Sequence, residues 1–547
     1  MDLTKSEYDH RQWQKQLESP ELTGTEMREY AIPSKLLSAG FLPTFAELIL
    51  MVPAAYVFLH PLGLSYLLQD ASTGTHLRTG EWILENGQVP QADLFSFSVG
   101  GRPWYAWEWL WDVTFEGVRM MGGLSAVALV SVGILCITYY LLYRRSVDSC
   151  GNPLVVFAMT MLAISVSSIH WLARPHLVTL LFSILAVWLV DKERNSRGWR
   201  LAWLPVLCAL WVNVHGGFLM GILVAAAYGA GGILRWLVGG DIDERRRGLV
   251  GGGTFLLLAA LSLLAGAVNP YGIKLYGHLW DYLRNTELLR TTVEFAPPDL
   301  ISLRLLMLFA LDSIAVAWFL FREEYERAVL IAGTAMMGLS SVRHIMVHLT
   351  ISLPFLCQAV TELIALASEV MPQRKIRMLL SEVSEIGPEW SVLKSGWKSL
   401  AVPAVLALLL VVTCAHSREG TRWRASFDLP GVPVSAIDSL IGVDVDLKLL
   451  STDSAGDYAI FRMFPRVKVF FDGRGDLYGS QFGKEFTRVV NASPGWSSAL
   501  KKYGVTAVVL PIGTPLATAL TSDGSWATTF EDKEFAVFLL SNPHRIK

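Results

Sequence analysis

Arginine and aspartate residues beside apolar segments are the first candidates for chemistry in this sequence. Arg78, Arg174 and Arg343 could bind a phosphate or diphosphate, because a guanidinium group pairs with two oxygens at once. Asp70 and Asp93 could remove a proton from an acceptor hydroxyl or coordinate a divalent cation, Mg²⁺ or Mn²⁺. This combination predicts the transfer of a group from a lipid-linked phosphate.

A wider set of polar residues adjoins the ends of the apolar segments. Charges and histidines at membrane depth are costly and usually face a cavity. His176 is a further candidate for binding the donor phosphate. The other candidates for the cavity are His76, Glu81, Glu108, Asn213, His215, Asn269 and His344. We predict one polar cavity that contains these residues and opens outward.

The candidates also have structural alternatives. Asp70 could cap a helix that begins near Thr73, and Asp93 could be a turn residue. Arginines at the ends of spans could extend to the membrane interface or pair with carboxylates. The histidines could be structural hydrogen-bonding groups, because their spacing forms no metal motif. Residues 472–476 could contact an acceptor or form a strand-end turn with an ion pair.

The composition indicates which elements position these residues. The chain has 547 residues, of which 52% are hydrophobic and 17% are charged; soluble proteins have roughly 25% charged residues. These values exclude a single soluble domain and predict a polytopic membrane protein. The formal net charge of -2 gives no reason to expect a nucleic-acid partner. No cysteine follows Cys414, which excludes an outer domain held by disulfides.

About eleven apolar segments are candidates for membrane spans, because a spanning helix needs roughly 20 residues. They are 41–62, 123–143, 153–172, 176–190, 201–214, 216–237, 249–268, 301–321, 328–341, 345–366 and 399–415. Clusters of Lys and Arg follow the even-numbered spans, and such clusters favour the cytoplasmic side. We therefore predict a cytoplasmic segment 1–40, a membrane domain 41–415 with a large first outer loop 63–122, and an extracytoplasmic tail 416–547.

The tail differs from the membrane domain because short apolar strands alternate with helical stretches. The predicted strands are Leu447–Ser451, Val467–Phe471 and Val505–Leu510, and 526–540 is predicted to be a closing hairpin. The predicted helices are Ala455–Phe464, Phe482–Val490 and Ser497–Tyr503. The predicted fold class is therefore mainly α, a transmembrane helical bundle followed by a C-terminal α/β domain.

Several motifs resemble those of bacterial membrane glycosyltransferases of the GT-C type. The motifs are the run from Asp70 to Gly87 with Pro90 and Asp93, Gly101-Arg-Pro-Trp104, Arg174-Pro-His176, His215-Gly-Gly217, Asn269-Pro-Tyr-Gly272, Arg343-His344, and the runs Gly456 to Arg462 and Phe471 to Gly479. The resemblance covers most of residues 40–545. It implies a sugar donor linked to a polyprenyl phosphate or diphosphate and a location in the bacterial inner membrane.

The resemblance also suggests roles for the acidic residues. Enzymes of the GT-C type carry an acid in the first outer loop, just after the first span, and Asp70 matches that position. Asp70 would then be the general base or a metal ligand, and Asp93 a second acid. Ala71 follows Asp70, so the adjacent Asp-Glu pair of protein mannosyltransferases is missing. The Trp-Trp-Asp signature of oligosaccharyltransferases is also missing.

The sequence therefore predicts an integral-membrane glycosyltransferase. It would transfer a sugar from a polyprenyl-phosphate donor to a glycan, lipid or protein acceptor outside the cytoplasm. Two alternatives stay open: a transporter or flippase for a lipid-linked or anionic solute, and a non-catalytic assembly subunit with the same fold. A long first loop with two carboxylates favours the enzyme, because transporters place their polar groups near the bilayer midplane.

Overall fold

A computed structural model of the protein describes residues 44–284, 295–299, 301–390, 408, 423–443 and 447–541. The part before residue 391 is helical. Its helices are α1 (Phe45–Leu59), α2 (Ser72–Asn86), α3 (Trp109–Cys150), α4 (Pro153–Ser167), α5 (His176–Lys192), α6 (Trp203–Trp211), α7 (Leu219–Val238), α8 (Ile242–Ala265), α9 (Lys274–Leu283), α10 (Leu303–Phe321), α11 (Tyr325–Ser340), α12 (Arg343–Val370) and α13 (Arg374–Trp390). The protein is thus mainly α-helical, as predicted.

Six helical segments of the described residues are long and apolar enough to cross a membrane. They are Trp109–Cys150, Pro153–His170, Gly216–Val238, Ile242–Ala265, Leu303–Phe321 and Arg343–Val370. Four other predicted spans correspond to the shorter helices α1, α5, α6 and α11. The predicted span 399–415 lies outside the described residues except for Leu408. These apolar helices make the chain a membrane protein, while the count of eleven spans stays a prediction.

Helix α3 extends beyond the span predicted for it. The backbone leaves helical geometry at Gly122 and Gly123, and Gly123 has a φ of 65°. Such a positive φ is readily adopted by glycine. The kink separates a first part that belongs to the loop 63–122 from the apolar part that matches the predicted span 123–143. We call residues 63–122 the first loop.

Helix α2 packs closely against its neighbours in the first loop. A Cβ atom at Gly80 would overlap the Asp112 backbone of α3, and one at Gly74 would meet the Phe461 side chain. These two glycines therefore allow α2 to fit between α3 and the C-terminal region. The helix ends at Asn86, and Gly87 follows in the left-handed conformation.

The C-terminal α/β region consists of helices around a five-stranded sheet, counted over the described residues. In chain order its elements are α14 (Val434–Asp438), β1 (Leu447–Ser451), α15 (Asp453–Met463), β2 (Val467–Val469), α16 (Gly475–Val490), α17 (Trp496–Tyr503), β3 (Ala507–Pro511), α18 (Pro515–Ser522), β4 (Trp526–Glu531) and β5 (Phe535–Leu540). The strand order is β2-β1-β3-β5-β4. Strand β1 is parallel to β2 and β3, while β5 is antiparallel to β3 and β4.

The first loop pairs with the edge of this sheet. Val469 of β2 donates its N–H to the Phe95 carbonyl at 3.0 Å, and Phe97 donates its N–H to the Val469 carbonyl at 3.1 Å. Edge strands expose unpaired backbone groups, and here the loop satisfies two of them. The first loop and the C-terminal region are consequently joined through backbone hydrogen bonds.

Candidate active site

An ion pair joins the turns that precede helices α2 and α5. The Arg174 guanidinium lies 2.6 Å from the Asp70 carboxylate, and both side chains are partly exposed, at 24% and 29%. Backbone contacts fix the two turns, because Ala173 donates its N–H to the Leu67 carbonyl at 2.8 Å and Thr73 donates its hydroxyl to the Ala173 carbonyl at 3.2 Å. The pair is therefore held in place and is still accessible to a ligand.

Asp70 also accepts the N–H of Ser72 at 2.8 Å, near the start of α2. Ala71 occupies the N-cap of α2 and its side chain does not cap this helix, so Asp70 lies one residue before the position predicted for a capping residue. Burial opposes ionisation of Asp70, but Arg174 and the Ser72 N–H hold its pKa below the ordinary value. The carboxylate is therefore charged at neutral pH.

Glu108 lies between two histidines at the start of α3. Its carboxylate oxygens are 3.5 Å from Nε2 of His76 and 3.5 Å from Nε2 of His215. The Nδ1 atom of His76 is 2.8 Å from the Asp112 carboxylate. Burial opposes protonation of His76, but Asp112 and Glu108 raise its pKa above the ordinary value. Burial also raises the pKa of Glu108 to about 6.

A hydrogen-bond chain fixes the proton position on His215. Gly217 donates its N–H to Nδ1 of His215 at 3.1 Å, and the Thr179 hydroxyl lies 2.7 Å from the same nitrogen. The Trp211 indole donates to the Thr179 oxygen at 2.9 Å. Burial and the nearby charges of Arg343, Arg174 and His76 lower the pKa of His215. The neutral ring therefore accepts at Nδ1 and carries its proton on Nε2, the atom that faces Glu108.

His176 and Arg343 border the same cluster. Nε2 of His176 donates to the His170 carbonyl at 3.1 Å. The Arg343 guanidinium donates to the Tyr282 hydroxyl at 3.5 Å and lies 4.8 Å from the centre of the Phe295 ring. We call Asp70, Arg174, His76, Glu108, Asp112, His215, His176 and Arg343 the polar cluster. His344 follows Arg343 at the start of α12, and its Nδ1 atom is buried without a partner among the described residues.

The contacts of Arg78, Glu81 and Asp93 are outside the polar cluster. Arg78 pairs with Glu81 and donates to the Phe461 carbonyl of α15. Asp93 pairs with Arg474 at 2.8 Å. These three side chains contribute to the junction between the first loop and the C-terminal region, so their predicted roles in donor binding and catalysis gain no support from their contacts.

Asn213 and Asn269 make the contacts of turn residues. Asn213 accepts the indole N–H of Trp109 at 2.8 Å and donates to the Val268 carbonyl at 2.8 Å. Asn269 accepts the N–H of Tyr271 at 2.8 Å and donates to the Gly266 carbonyl at 2.8 Å. Both amides hold the turns around the polar cluster, and their place in a cavity stays a prediction.

The predicted cation ligands, Asp70 and Asp93, do not share a site. Asp70 pairs with Arg174, whereas Asp93 shares Arg474 with Asp472. Among the described residues, no group of three or more His, Cys, Asp or Glu side chains is arranged to hold a metal ion. The described residues thus offer no ready site for Mg²⁺ or Mn²⁺, and a cation requirement stays a prediction.

Three contributing residues were missed by the sequence reasoning. Asp112 is four residues after Glu108, a spacing that places both carboxylates on one face of a helix. No sequence pattern indicates the role of Thr179, because it lies in α5 and its partner His215 lies in the turn before α7. Asp457 of α15 accepts the Thr75 hydroxyl at 2.7 Å, and burial with nearby acids raises its pKa well above the ordinary value.

Comparisons with known proteins identify the fold. No sequence-family model and no curated protein sequence matches the chain. The crystal structure of the apo oligosaccharyltransferase of Archaeoglobus fulgidus aligns with a TM-score of 0.52 and 11% identity, over 89% of this chain and 70% of that chain. The same organism's oligosaccharyltransferase AglB in complex with an inhibitory peptide and a dolichol-phosphate gives a TM-score of 0.51 and 11% identity, over 85% and 68%.

A lower similarity is found to ArnT from Cupriavidus metallidurans bound to undecaprenyl phosphate. Its TM-score is 0.45 at 12% identity, over 90% of this chain and 96% of that chain. The fold assignment depends on the oligosaccharyltransferase structures, whose TM-scores are 0.52 and 0.51. The chain therefore shares its fold with these oligosaccharyltransferase structures.

Proposed function

We propose that this protein is a membrane glycosyltransferase that moves a sugar from a polyprenyl-phosphate donor to an acceptor hydroxyl outside the cytoplasm. The observation that carries the proposal is the accessible ion pair between Asp70 and Arg174, beside a second group of titratable residues around Glu108. A GT-C fold is consistent with it, since the similar AglB structure contains a dolichol-phosphate.

The ion pair supports a role for Arg174 in binding the donor. A phosphate group is a strong partner for a guanidinium fork, so a donor phosphate competes with Asp70 for Arg174. When the phosphate takes over this contact, Asp70 loses its main positive neighbour and its pKa rises toward the ordinary range. Donor binding would in this way convert Asp70 from an ion-pair partner into a base.

The transfer step is then a single nucleophilic displacement at the anomeric carbon. Asp70 takes the proton of the acceptor hydroxyl, and the hydroxyl oxygen forms a bond to the anomeric carbon. The bond between that carbon and the phosphate oxygen breaks, and the polyprenyl phosphate leaves with the electron pair. Arg174 stabilises the negative charge on the leaving phosphate. One displacement inverts the configuration at the anomeric carbon.

We propose Glu108 as a second acid of the site, which exchanges protons with the substrate. Its oxygens face His76 and the protonated Nε2 of His215. A carboxyl group with a pKa of about 6 changes its charge close to neutral pH, where it can exchange protons with a substrate. His176 and Arg343 border the same space and are proposed to contact the donor phosphate.

The test is sugar transfer by the purified protein reconstituted in lipid. A pool of radiolabelled polyprenyl-phosphate sugars is the donor, and native membrane extract supplies the acceptor. We expect label to leave the lipid with wild-type protein and not with Asp70→Asn, and a parallel sample with chelator tests the predicted cation. Asp523→Asn is the matched control, because Asp523 accepts the N–H of Ser525 at 2.9 Å in a similar turn of the C-terminal region.

The same experiment separates the proposal from the transporter alternative. Label that crosses the bilayer while it stays on the lipid, with no transfer by wild-type protein, would identify a flippase. Equal transfer by wild type and Asp70→Asn would remove Asp70 from the mechanism and would leave Glu108 as the remaining acid of the polar cluster.

A further inference from the structure

A cleft of about 640 Å³ lies at the carboxyl ends of strands β1 and β3. Residues directly after β1, including Asp453 and Ser454, form one wall, and Ile512 after β3 forms another. The remaining side is formed by Lys533 and Glu534 in the turn before β5 and by Phe535, the first residue of β5. The volume falls within the roughly 300–1,000 Å³ typical of small-molecule sites.

The topology of the sheet explains why a cleft forms here. The chain leaves β1 through α15 and continues to β2, whereas it leaves β3 in the opposite direction, toward β4 and β5. In open α/β sheets, two neighbouring parallel strands whose connections diverge in this way leave a crevice at their carboxyl ends, where ligands bind. In this sheet β1 and β3 are such a pair, because the strand after β1 is added on one side of them and the strands after β3 on the other.

The cleft is also close to the proposed catalytic centre. Burial raises the pKa of Asp453, and the negative charge of Asp70, which is within electrostatic range, adds to this effect. Helix α15, which begins at Asp453, contacts α2 through the hydrogen bond of Thr75 to Asp457. Helix α15 therefore borders the cleft at Asp453 and the first loop at Asp457.

The charges in the cleft indicate which chemical class fits. Asp453 and Glu534 are carboxylates, while Lys533 supplies one positive charge. Asp453 occupies the first turn of α15, the position where a phosphate would otherwise be favoured by the helix dipole. An anionic ligand is therefore disfavoured, whereas hydroxyl groups donate well to carboxylates.

The carboxylates are positioned without being neutralised. Asp453 accepts the N–H of Ser454 at 2.8 Å, and Glu534 accepts the N–H of Gly431 at 3.1 Å. Within the described part of the chain, no basic side chain forms an ion pair with either acid. Ile512 is 45% exposed and offers an apolar surface beside them, which suits the C–H face of a sugar ring.

We propose that this cleft binds an uncharged glycan, the acceptor of the transfer reaction, with Asp453 and Glu534 as hydrogen-bond acceptors for its hydroxyl groups. This inference rests on the proposed function, because it names the acceptor class of that reaction. It places recognition in the C-terminal region and the chemistry in the polar cluster, so that the two can be tested separately.

The test is binding of uncharged trisaccharides of glucose, mannose and N-acetylglucosamine to the full-length protein in lipid nanodiscs, followed by saturation-transfer NMR without any donor. We expect at least one trisaccharide to bind wild-type protein. Asp453→Ala and Glu534→Ala should each weaken that binding about tenfold or more, because each removes a charge-assisted hydrogen bond. Thr452 remains as the side chain that caps α15 in Asp453→Ala.

The control is Glu531→Ala, which removes an exposed acid of β4 in the same hairpin but outside the cleft. Absence of binding by all three sugars, unchanged binding in both cleft variants, or displacement of the sugar by inorganic phosphate would each overturn the proposal. Asp70→Asn should keep normal sugar binding. If it also keeps normal transfer, the catalytic assignment fails while the glycan site stands.

Discussion

The Arg174 guanidinium lies 2.6 Å from the Asp70 carboxylate, at the junction of two turns that come from distant parts of the sequence. The pair is only partly exposed, so its charges interact more strongly than those of a surface pair. Its geometry gives one arginine two possible partners, the carboxylate of the protein and the phosphate of a donor. The first prediction follows from this competition.

Replacing Arg174 with alanine should lower kcat/KM for the lipid-linked donor by about tenfold or more, because a charge-assisted contact to phosphate is lost. It should also move the acid limb of the pH profile upward. Arg174 lowers the pKa of Asp70, so its removal raises that pKa, and Asp70 must be ionised to accept a proton. The measurement is kcat/KM for the donor against pH.

The control for this prediction is Arg462→Ala. Arg462 forms a comparable ion pair with Asp438 at 2.8 Å, but both side chains are exposed in the C-terminal region. An acid limb that stays at the wild-type pH in Arg174→Ala would show that Asp70 is not the group whose ionisation limits the reaction.

The second prediction concerns the stability of the site around Glu108. Burial raises the pKa of Glu108 from 4.5 to about 6, so the folded protein binds a proton that the unfolded chain has already lost in this interval. This proton contributes about 2 kcal/mol to the free energy of unfolding. The contribution is complete below pH 4.5, the pKa of the unfolded chain, and is lost as the pH rises through 6. Relative to wild type, Glu108→Gln should therefore be more stable at pH 8 than at pH 4.5.

Thermal unfolding of both proteins in detergent, at several pH values, measures this difference. Glu85→Gln serves as the control, because Glu85 is an exposed acid of α2. A difference in Tm between Glu108→Gln and wild type that does not vary with pH would contradict the assignment. Transfer activity should fall in the same variant, as expected when a residue is kept for function at the expense of stability.

The sequence predicted much of the fold because hydrophobic patterns are local. Strand β1 has the predicted bounds, and β2 and β3 lie within two residues of theirs. Helix Phe482–Val490 is the end of a longer helix, α16, whose first part is interrupted at Gly479 with a φ of 71°. A glycine break of this kind hides the helical periodicity from a pattern search.

The site was harder to predict because its contacts join distant segments. The proximity of Asp70 to Arg174 could be anticipated, because both residues lie near the ends of predicted spans and charged groups at membrane depth usually face a cavity. The pairing of Asp93 with Arg474 could not, because it depends on how the first loop lies against the C-terminal sheet. Likewise, only the packing of α5 brings Thr179 to His215.

The third prediction tests the histidine that faces Glu108. A Cβ atom at Gly217 would overlap the Thr179 hydroxyl and approach Nδ1 of His215 to 2.9 Å. Gly217→Ala should displace Thr179, release the ring of His215 and reduce transfer by about tenfold or more, as expected for lost positioning of a catalytic contact. The neighbouring Gly216 is the control, since a Cβ atom there would meet nothing within 4 Å.

Transfer kinetics of Gly217→Ala and Gly216→Ala, compared at equal amounts of folded protein, provide the measurement. We expect kcat to fall in the first variant and to be unchanged in the second. Equal kinetics in both would mean that the orientation of His215 is irrelevant to the reaction, and Glu108 would then act without it.

The fourth prediction separates a structural role of Asp93 from a catalytic one. Its side chain is buried and pairs with Arg474 at 2.8 Å, and the Arg474 guanidinium also lies 4.6 Å from the centre of the Trp104 ring. Arg474 also pairs with the buried Asp472 at 2.7 Å, so Asp93→Asn leaves that second pair in place and removes one charge-assisted contact, which costs about 1.5–3 kcal/mol. Asp93→Asn should therefore lower Tm while the folded fraction retains its kcat.

The matched control is Asp532→Asn. Asp532 accepts the N–H groups of Glu534 and Phe535 at 2.8 Å, as Asp93 accepts those of Phe95 at 3.2 Å and Ser96 at 3.1 Å, but it lies in an exposed turn. Each aspartate accepts two backbone N–H groups in the wild-type protein, and only Asp93→Asn loses an ion pair. Normal stability combined with abolished transfer in Asp93→Asn would instead establish Asp93 as the second catalytic acid that the sequence suggested, and would require the first loop to rearrange when substrate binds.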